Sequence, residues 1–286
     1  CSPTAHIGWV VEKGFAPLLE RDPAVDRLYP IHIPSTSSPD ADWSAYPRAL
    51  AALVRTCRQL RNQFRTTPYD LILDLHASFR SGLFALMNPG GLRVGFADAR
   101  EFNALFQHRL VRDAGKVEHA VEKNLLFCAT VGCAVQEEDF HICTGQADAE
   151  RVEQFLAESG LGGTTRFVYV NPTARWQSKF WIAERWSVLC DRLLAAGVGV
   201  VFGGSGGEVD AITTITARMT RQAVVAAGRL SLTQAVALIK RAAVYVGLDT
   251  GPMHIAAMAG IPVVALFGPT HPERVGPYRV SHRIVR

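Results

Sequence analysis

The segment Tyr245–Thr270, YVGLDTGPMHIAAMAGIPVVALFGPT, holds two short apolar runs joined by a helix-like stretch. The first run ends in Asp249-Thr250-Gly251, and His254 follows inside the helical part. Ile261-Pro262 starts the second run, which closes on Gly268-Pro269-Thr270. A strand that hands over to a helix through Asp, Thr and Gly gathers polar groups at one end of a sheet. Thr250 and Gly251 open the helix, so their backbone N–H groups and the positive end of the helix dipole point outward. Such an end suits an anion, most naturally a phosphate. Gly251 lets a ligand approach the backbone closely, Thr250 adds a hydroxyl donor, and His254 is placed to face the same anion. Taken alone, the tripeptide has a plainer reading in which Asp249 is an N-cap and His254 a satisfied polar residue.

Outward from this segment the alternation of strand and helix continues. RFVYVNP, VGVVFGG, AVVAAG, VYVGLD and PVVALFG read as strands, with amphipathic helices between them. Short apolar strands separated by such helices predict a parallel sheet covered on both faces. The first half repeats the pattern: IGWVVE, RLYPIHI, YDLILDL and LRVGF read as strands. The spacing of Leu50, Leu53, Val54, Cys57, Leu60 and Phe64 predicts a helix over 46–65, with Arg55, Arg58, Arg61 and Arg65 among them. A second helix is expected over 117–131, and Pro34–Trp43 reads as a polar loop. A polar stretch and the flexible LGGTT at 161–165 place a domain boundary near 158/159. The fold expected is α/β: two Rossmann-like, doubly wound parallel-sheet domains, 1–158 and 159–286, facing across a cleft, with ligands at the strand ends.

Composition bounds the function. The 286 residues are 48% hydrophobic and 20% charged, with a net charge of +4. These are the proportions of an ordinary globular protein, and they give no reason to expect nucleic acid. No run reaches the roughly 18 apolar residues of a membrane span. The six cysteines, at 1, 57, 128, 133, 143 and 190, have no metal-ligand spacing. Buried free thiols are expected at Cys128 and Cys133, which favours a reducing cytoplasm.

Other strand-end residues of the second half point the same way as Asp249–His254. Thr173 follows the FVYV strand, and Lys179 lies in a loop flanked by Trp176 and Trp181, where it can neutralise a phosphate oxygen. Glu208 follows GGSGG at a helix start, where a carboxylate suits a ribose diol and equally suits the first turn of a helix. That glycine turn is neither G-x-G-x-x-G in its required setting nor a Walker loop. Together these signals indicate a nucleoside diphosphate site. The nine histidines are dispersed, and no H-E-x-x-H or D-x-D pair occurs, so no metal is expected. In the first half Arg80 follows the strand end DLHAS, and Arg100 and His119 follow later turns; facing the cleft, they would bind an anionic acceptor.

The chain resembles glycosyltransferase family 9, the ADP-heptose:lipopolysaccharide heptosyltransferases, and most closely the heptosyltransferase I type. The resemblance rests on WVVEKGFAPLLERDPAVDRLYPI, YDLILDLHASFRSG, RVGFADARE, HAVEKN, NPTARWQSKFW and LDTGPMHIAAMAGIPVVALFGPT, and covers nearly the whole chain. It implies a GT-B fold and inverting, metal-independent transfer of heptose from ADP-L-glycero-D-manno-heptose to the Kdo of nascent lipopolysaccharide. By the same resemblance Thr173 and Lys179 meet the donor diphosphate or sugar, Lys179 stabilises the departing ADP, and Glu208 takes the ribose. Leu230 lies near adenine, while Asp249, Thr250, Gly251 and His254 hold diphosphate and heptose. Arg80, Arg100 and His119 face the acceptor, a Kdo-lipid A precursor. No cofactor is implied, and the setting is cytoplasmic, with peripheral association at the inner membrane. Family members carry a Gly-Asp turn, the expected catalytic base, some two dozen residues before the W-V-V-E strand. The chain is therefore expected to be a fragment lacking that base, its strand and its helix at one end, and final helices at the other. Asp70, Asp74 and Asp98 do not match the base motif. The remaining alternatives are another nucleotide sugar or acceptor within the family, and a non-catalytic nucleotide-sugar binding module. A nicotinamide dehydrogenase lacks its fingerprint here.

Overall fold

The computed structural model describes residues 4–36, 43–113, 115, 117–163 and 165–286, so Cys1, Thr164 and most of the expected 34–43 loop lie outside the described residues. The chain divides into two units, Cys1–Ala16 with Pro23–Gln136, and Pro17–Asp22 with Glu137–Arg286.

In the first unit β1 (Gly8–Glu12) pairs in parallel with β2 (Arg27–Ile31). Next come α1 (Ala45–Thr66), β3 (Leu71–Leu73), α2 (Phe79–Ala85), β4 (Leu92–Phe96), β5 (Arg109–Val111) and α3 (Ala120–Thr130). Strands β3, β4 and β5 form a second parallel sheet, separate from the β1–β2 pair. After β1 the chain makes 3-10 turns over Lys13–Leu18 with Pro17 inside; proline has no N–H to continue an α-helical ladder.

α1 buries Ala45, Ala52, Thr56, Leu60 and Phe64, a stripe at helical spacing. Phe64 packs edge-on against Tyr29 and Tyr69, at 5.0 and 5.8 Å between ring centroids, and forms a core with Ile33 and Phe84. Leu50 and Val54, expected on the inner face, are exposed. Trp9 of β1 and Leu71 and Leu73 of β3 are also exposed, although strands of a parallel sheet are normally covered on both sides.

The second unit runs α4 (Gln146–Glu158), β6 (Phe167–Asn171), α5 (Ala183–Ala195), β7 (Gly199–Phe202), α6 (Val209–Thr216) and β8 (Val224–Val225). It continues with α7 (Leu232–Arg241), β9 (Val244–Leu248), α8 (Gly251–Met258), β10 (Val263–Leu266), α9 (Pro272–Val275) and β11 (His282–Val285). All six strands are parallel, in the order β11-β10-β9-β6-β7-β8. Every residue of β6 is buried. One core, built on Phe155, Phe167, Leu238 and Met253, and another, built on Trp186, Cys190, Phe202 and Ile212, enclose the sheet. This is the covered parallel sheet that continuous apolar strands require.

The division between units falls at 136/137, earlier than the expected 158/159. The cause is α4: its Val152, Phe155 and Leu156 are fully buried in the second unit's core. Its Asp148 accepts a hydrogen bond from Thr233 of α7 at 2.9 Å. Sequence polarity around 136–150 reflects the exposed entry to α4, not the end of a domain.

Cysteine usage also differs from expectation. Cys57, Cys128 and Cys143 are free and half-buried, and Cys190 is free and buried. Cys133 is disulfide-bonded, so the expected free thiol there is corrected. Among the described residues no helix is long and apolar enough to cross a membrane.

Candidate functional site

The strand order of the second unit sets where a site can form. From β6 the chain goes outward to β7 and β8, then returns across β6 to start β9 on its other side. Helices leaving β6 and β9 therefore splay apart, and a crevice opens at their C-terminal ends. In the β6–β9 ladder Asn171 lies opposite Gly247. A pocket of about 380 Å³ occupies this place, walled by the loop 171–179, Glu208 and the turn Asp249–Pro252.

Asn171 organises it. The residue is buried; its side-chain carbonyl accepts from the Thr250 hydroxyl at 2.9 Å and from the Tyr245 phenol at 3.4 Å. Its amide donates to the Gly203 carbonyl at 3.3 Å and to Thr173 at 3.4 Å. One side chain thus ties the ends of β6, β7 and β9. Beneath it Tyr169 and Tyr245 stack, with centroids 5.8 Å apart, and burial pushes both phenols well above their ordinary range, so they remain neutral donors.

Thr250 is the N-cap residue of α8, in extended conformation, yet its hydroxyl makes no cap hydrogen bond. It turns to Asn171 instead; Pro252 has no N–H and the Met253 N–H donates to the Thr250 carbonyl at 3.1 Å, so what this turn offers the pocket is the Gly251 backbone and the positive end of the helix dipole. Pro252 sits in the first turn, where a missing N–H costs nothing. Nothing lies within 4 Å of where a Gly251 side chain would begin, so the space above this backbone is open. The plain reading of Asp249 as a cap is therefore not the observed one. Asp249 is buried; its carboxylate accepts from Lys179 Nζ at 2.7 Å and from Thr270 at 2.8 Å. Lys179 also donates to the Asp249 carbonyl at 3.1 Å. An ammonium has three donors, and two are used here, so Lys179 is fixed at the pocket wall with one N–H to spare.

Thr173 is buried and donates to Glu208 at 2.5 Å. The other Glu208 oxygen accepts from the Ser205 N–H at 2.6 Å, closing a capping box. Glu208 thus lines the pocket and caps a helix at once. Arg175, 5.5 Å above the Trp176 ring, adds a second cation to the wall. Leu230 is half-buried against the core and does not line the pocket. His254 is half-buried on α8 and does not line it either. Asn171, Ala174, Arg175, Trp176 and Pro252 are the lining residues to which motif reasoning gave no role. The signal for Asn171 was present, as a polar residue ending an otherwise apolar strand.

In the first unit Arg80 is exposed on α2 and Arg100 is exposed on the turn after β4. These segments are joined: the Arg100 N–H donates to the Ala77 carbonyl at 3.1 Å, and Glu101 accepts from the Phe79 N–H at 3.1 Å. His119 is the N-cap of α3, accepting from the Val121 N–H at 3.2 Å. α3 is held to the same turn by the Lys123–Asp98 ion pair, which keeps the Asp98 carboxyl below its ordinary range. Asp74 is buried and accepts from Asn103 at 2.7 Å and from the N–H groups of His76 and Ala77. It holds Ala77 at a left-handed φ of 57° and so shapes the turn that presents Arg80.

Comparison with known proteins bears on family and fold. Residues 57–286 match the family model of glycosyltransferase family 9 (heptosyltransferase). A lipopolysaccharide core heptosyltransferase from Haemophilus influenzae is 25% identical over 79% of this chain and 65% of its own length. The lipopolysaccharide heptosyltransferase 1 of Pseudomonas aeruginosa is 27% identical over 96% of this chain and 74% of its own. The chain thus spans about two thirds to three quarters of the length of these two relatives. A solved Escherichia coli heptosyltransferase with ADP shares the fold at a TM-score of 0.75, with 23% identity, over all of this chain and 85% of that one. The architecture is that of the GT-B glycosyltransferases, with Rossmann-like parallel sheets. On the family match, the chain belongs to glycosyltransferase family 9, the heptosyltransferases.

Proposed function

We propose that the second unit binds ADP-L-glycero-D-manno-heptose and that the protein transfers the heptose to the Kdo residue of a lipopolysaccharide precursor, inverting the anomeric centre without a metal. The observation that carries this is the uncapped N-terminus of α8, open above Gly251, with the Lys179 ammonium fixed beside it. Dipole and ammonium act together on the charge that grows on ADP as the sugar leaves. Fixing Lys179 through Asp249 and Thr270 means that little reorganisation is needed at that moment. Glu208 is placed for a ribose diol, and Arg175 supplies a further charge. Arg80, Arg100 and His119 meet the anionic acceptor, and a lipid-linked acceptor brings the protein to the cytoplasmic face of the inner membrane. The pocket carboxylates are not the general base in this reading, because Asp249 is neutralised by Lys179 and Glu208 is bonded on both oxygens.

Support from relatives comes from the two lipopolysaccharide heptosyltransferases and from the ADP of the solved neighbour. Calorimetry with ADP-heptose, ADP, UDP and GDP tests the donor, and turnover on Kdo-lipid A tests the acceptor. Lys179→Ala and Asp249→Ala are expected to lower transfer at least 100-fold with the fold retained, on the scale of losing one preorganised charge stabiliser. Transfer surviving in both variants, or tighter binding of UDP or GDP than of ADP, defeats the reading.

A further inference from the structure

α1 carries a surface for which the proposed chemistry has no use. Between Trp43 and Tyr69 the sequence contains five arginines and no acidic residue. The whole chain is +4, so everything outside this stretch sums to −1 (4 − 5). Arg55, Arg58, Arg61 and Arg65 are exposed and, among the described residues, have no carboxylate partner. By contrast, Lys123, Lys179, Arg218, Arg241 and Arg279 are in ion pairs.

The same helix and the turn leading into it expose apolar side chains. Trp43 is 89% exposed, Leu50 62% exposed, and Tyr46 and Val54 are also on the outside. Trp43 and Tyr46 sit 5.8 Å apart between centroids. At helical spacing Tyr46, Leu50 and Val54 run into Arg58, Arg61 and Arg65 along one stripe, apolar in the first half of the helix and basic in the second. Beside the stripe lies an apolar groove of about 410 Å³, floored by Leu53, Leu83 and Met87 and rimmed by Arg58 and Arg61.

We infer that this stripe is a docking surface for an anionic phospholipid bilayer. Aromatic and aliphatic side chains sit at the level of the headgroup–acyl boundary, and guanidiniums pair with lipid phosphates. The groove takes the upper part of an acyl chain whose phosphate lies between Arg58 and Arg61. A nucleic acid would satisfy the arginines but leave Trp43, Leu50 and Val54 in water; a bilayer satisfies both. This deepens the membrane-side reading above, yet it rests on α1 and its neighbours in the first unit and is independent of which donor the second unit binds.

Vesicle flotation without any nucleotide tests it, using phosphatidylcholine vesicles with and without phosphatidylglycerol. The protein is expected to float with the anionic vesicles, to lose most of that binding in high salt, and to ignore pure phosphatidylcholine. Arg58→Glu/Arg61→Glu is expected to weaken binding roughly thirtyfold or more, whereas Arg185→Glu/Arg192→Glu on exposed positions of α5 leaves it nearly unchanged. Trp43→Ser/Leu50→Ser weakens binding with less dependence on salt. Circular dichroism monitors folding, and Arg58→Gln/Arg61→Gln carries the test should the charge reversal perturb it. Equal binding to neutral vesicles, equal loss in the α5 control, or tighter binding to a DNA duplex than to anionic vesicles overturns the proposal. Donor calorimetry stays intact in the α1 variants either way, so failure here is distinct from failure of the donor assignment.

Discussion

At the residue scale, the site depends on side chains that turn away from their usual local partners. Thr250 is an N-cap residue by position but bonds Asn171, and that single choice leaves the α8 N-terminus unfilled. The role of the Asp249–Gly251 turn as a strand-to-helix junction was legible, because chain order and residue type suffice to place it. That Asp249 would bond Lys179, 70 positions away, was not, since such a contact depends on the strand order. Gly251 separates fold from function most cleanly. It has open space around its would-be Cβ, so the native packing does not ask for glycine there. Gly251→Val is therefore expected to change the melting temperature by no more than a few degrees while weakening ADP binding at least tenfold, by calorimetry. Loss of stability with binding retained would show that the glycine serves the backbone instead.

At the element scale, most helices and strands were readable from periodicity, and the failures share a cause. The stripe expected to bury Leu50 and Val54 on α1 is rotated, because Ala52 and Thr56 let the helix approach the aromatic core around Tyr29 and Phe64 more closely than larger side chains would. Strands β5 and β11 went unnoticed; each is short and mostly exposed, so neither shows a long apolar run. β7 shows what the ends of strands demand. A Cβ on Gly203, just past β7, would come within 1.8 Å of the buried Tyr169 hydroxyl, whose ring is held by its stack on Tyr245. Gly203→Ala is expected to cost about 1–3 kcal/mol by overpacking, measured by denaturant unfolding, and to weaken donor binding as well, because Asn171 bonds the Gly203 carbonyl.

At the scale of the whole molecule, stability has a pH limit on the alkaline side. Burial pushes the Cys190 thiol from 9.0 up to about 12 and raises the Tyr169 and Tyr245 phenols further. The folded state holds these protons more tightly than the unfolded chain does. Their contribution is therefore complete below about pH 9 and drains away as the pH rises toward 12. Melting temperatures recorded from pH 7 to 11 should be level at first and then fall; Cys190→Ala is expected to shift the onset upward, although the cavity it leaves lowers the plateau.

The two units were visible in the sequence as two rounds of strand–helix alternation, while their division was displaced by α4, whose amphipathic face declares that it is buried without saying against which sheet. Their build is unequal. The second has one continuous six-stranded sheet sandwiched between two cores, and the first has its strands in separate sets of two and three. A two-stranded ribbon is marginal by itself, so the first unit leans on α1 and the Tyr29–Phe64–Tyr69 cluster to keep its pieces together. Because the Tyr29–Phe64–Tyr69 cluster touches both sets of strands, Phe64→Ala is expected to speed hydrogen exchange in β1 to β5 while leaving β6 to β11 unchanged.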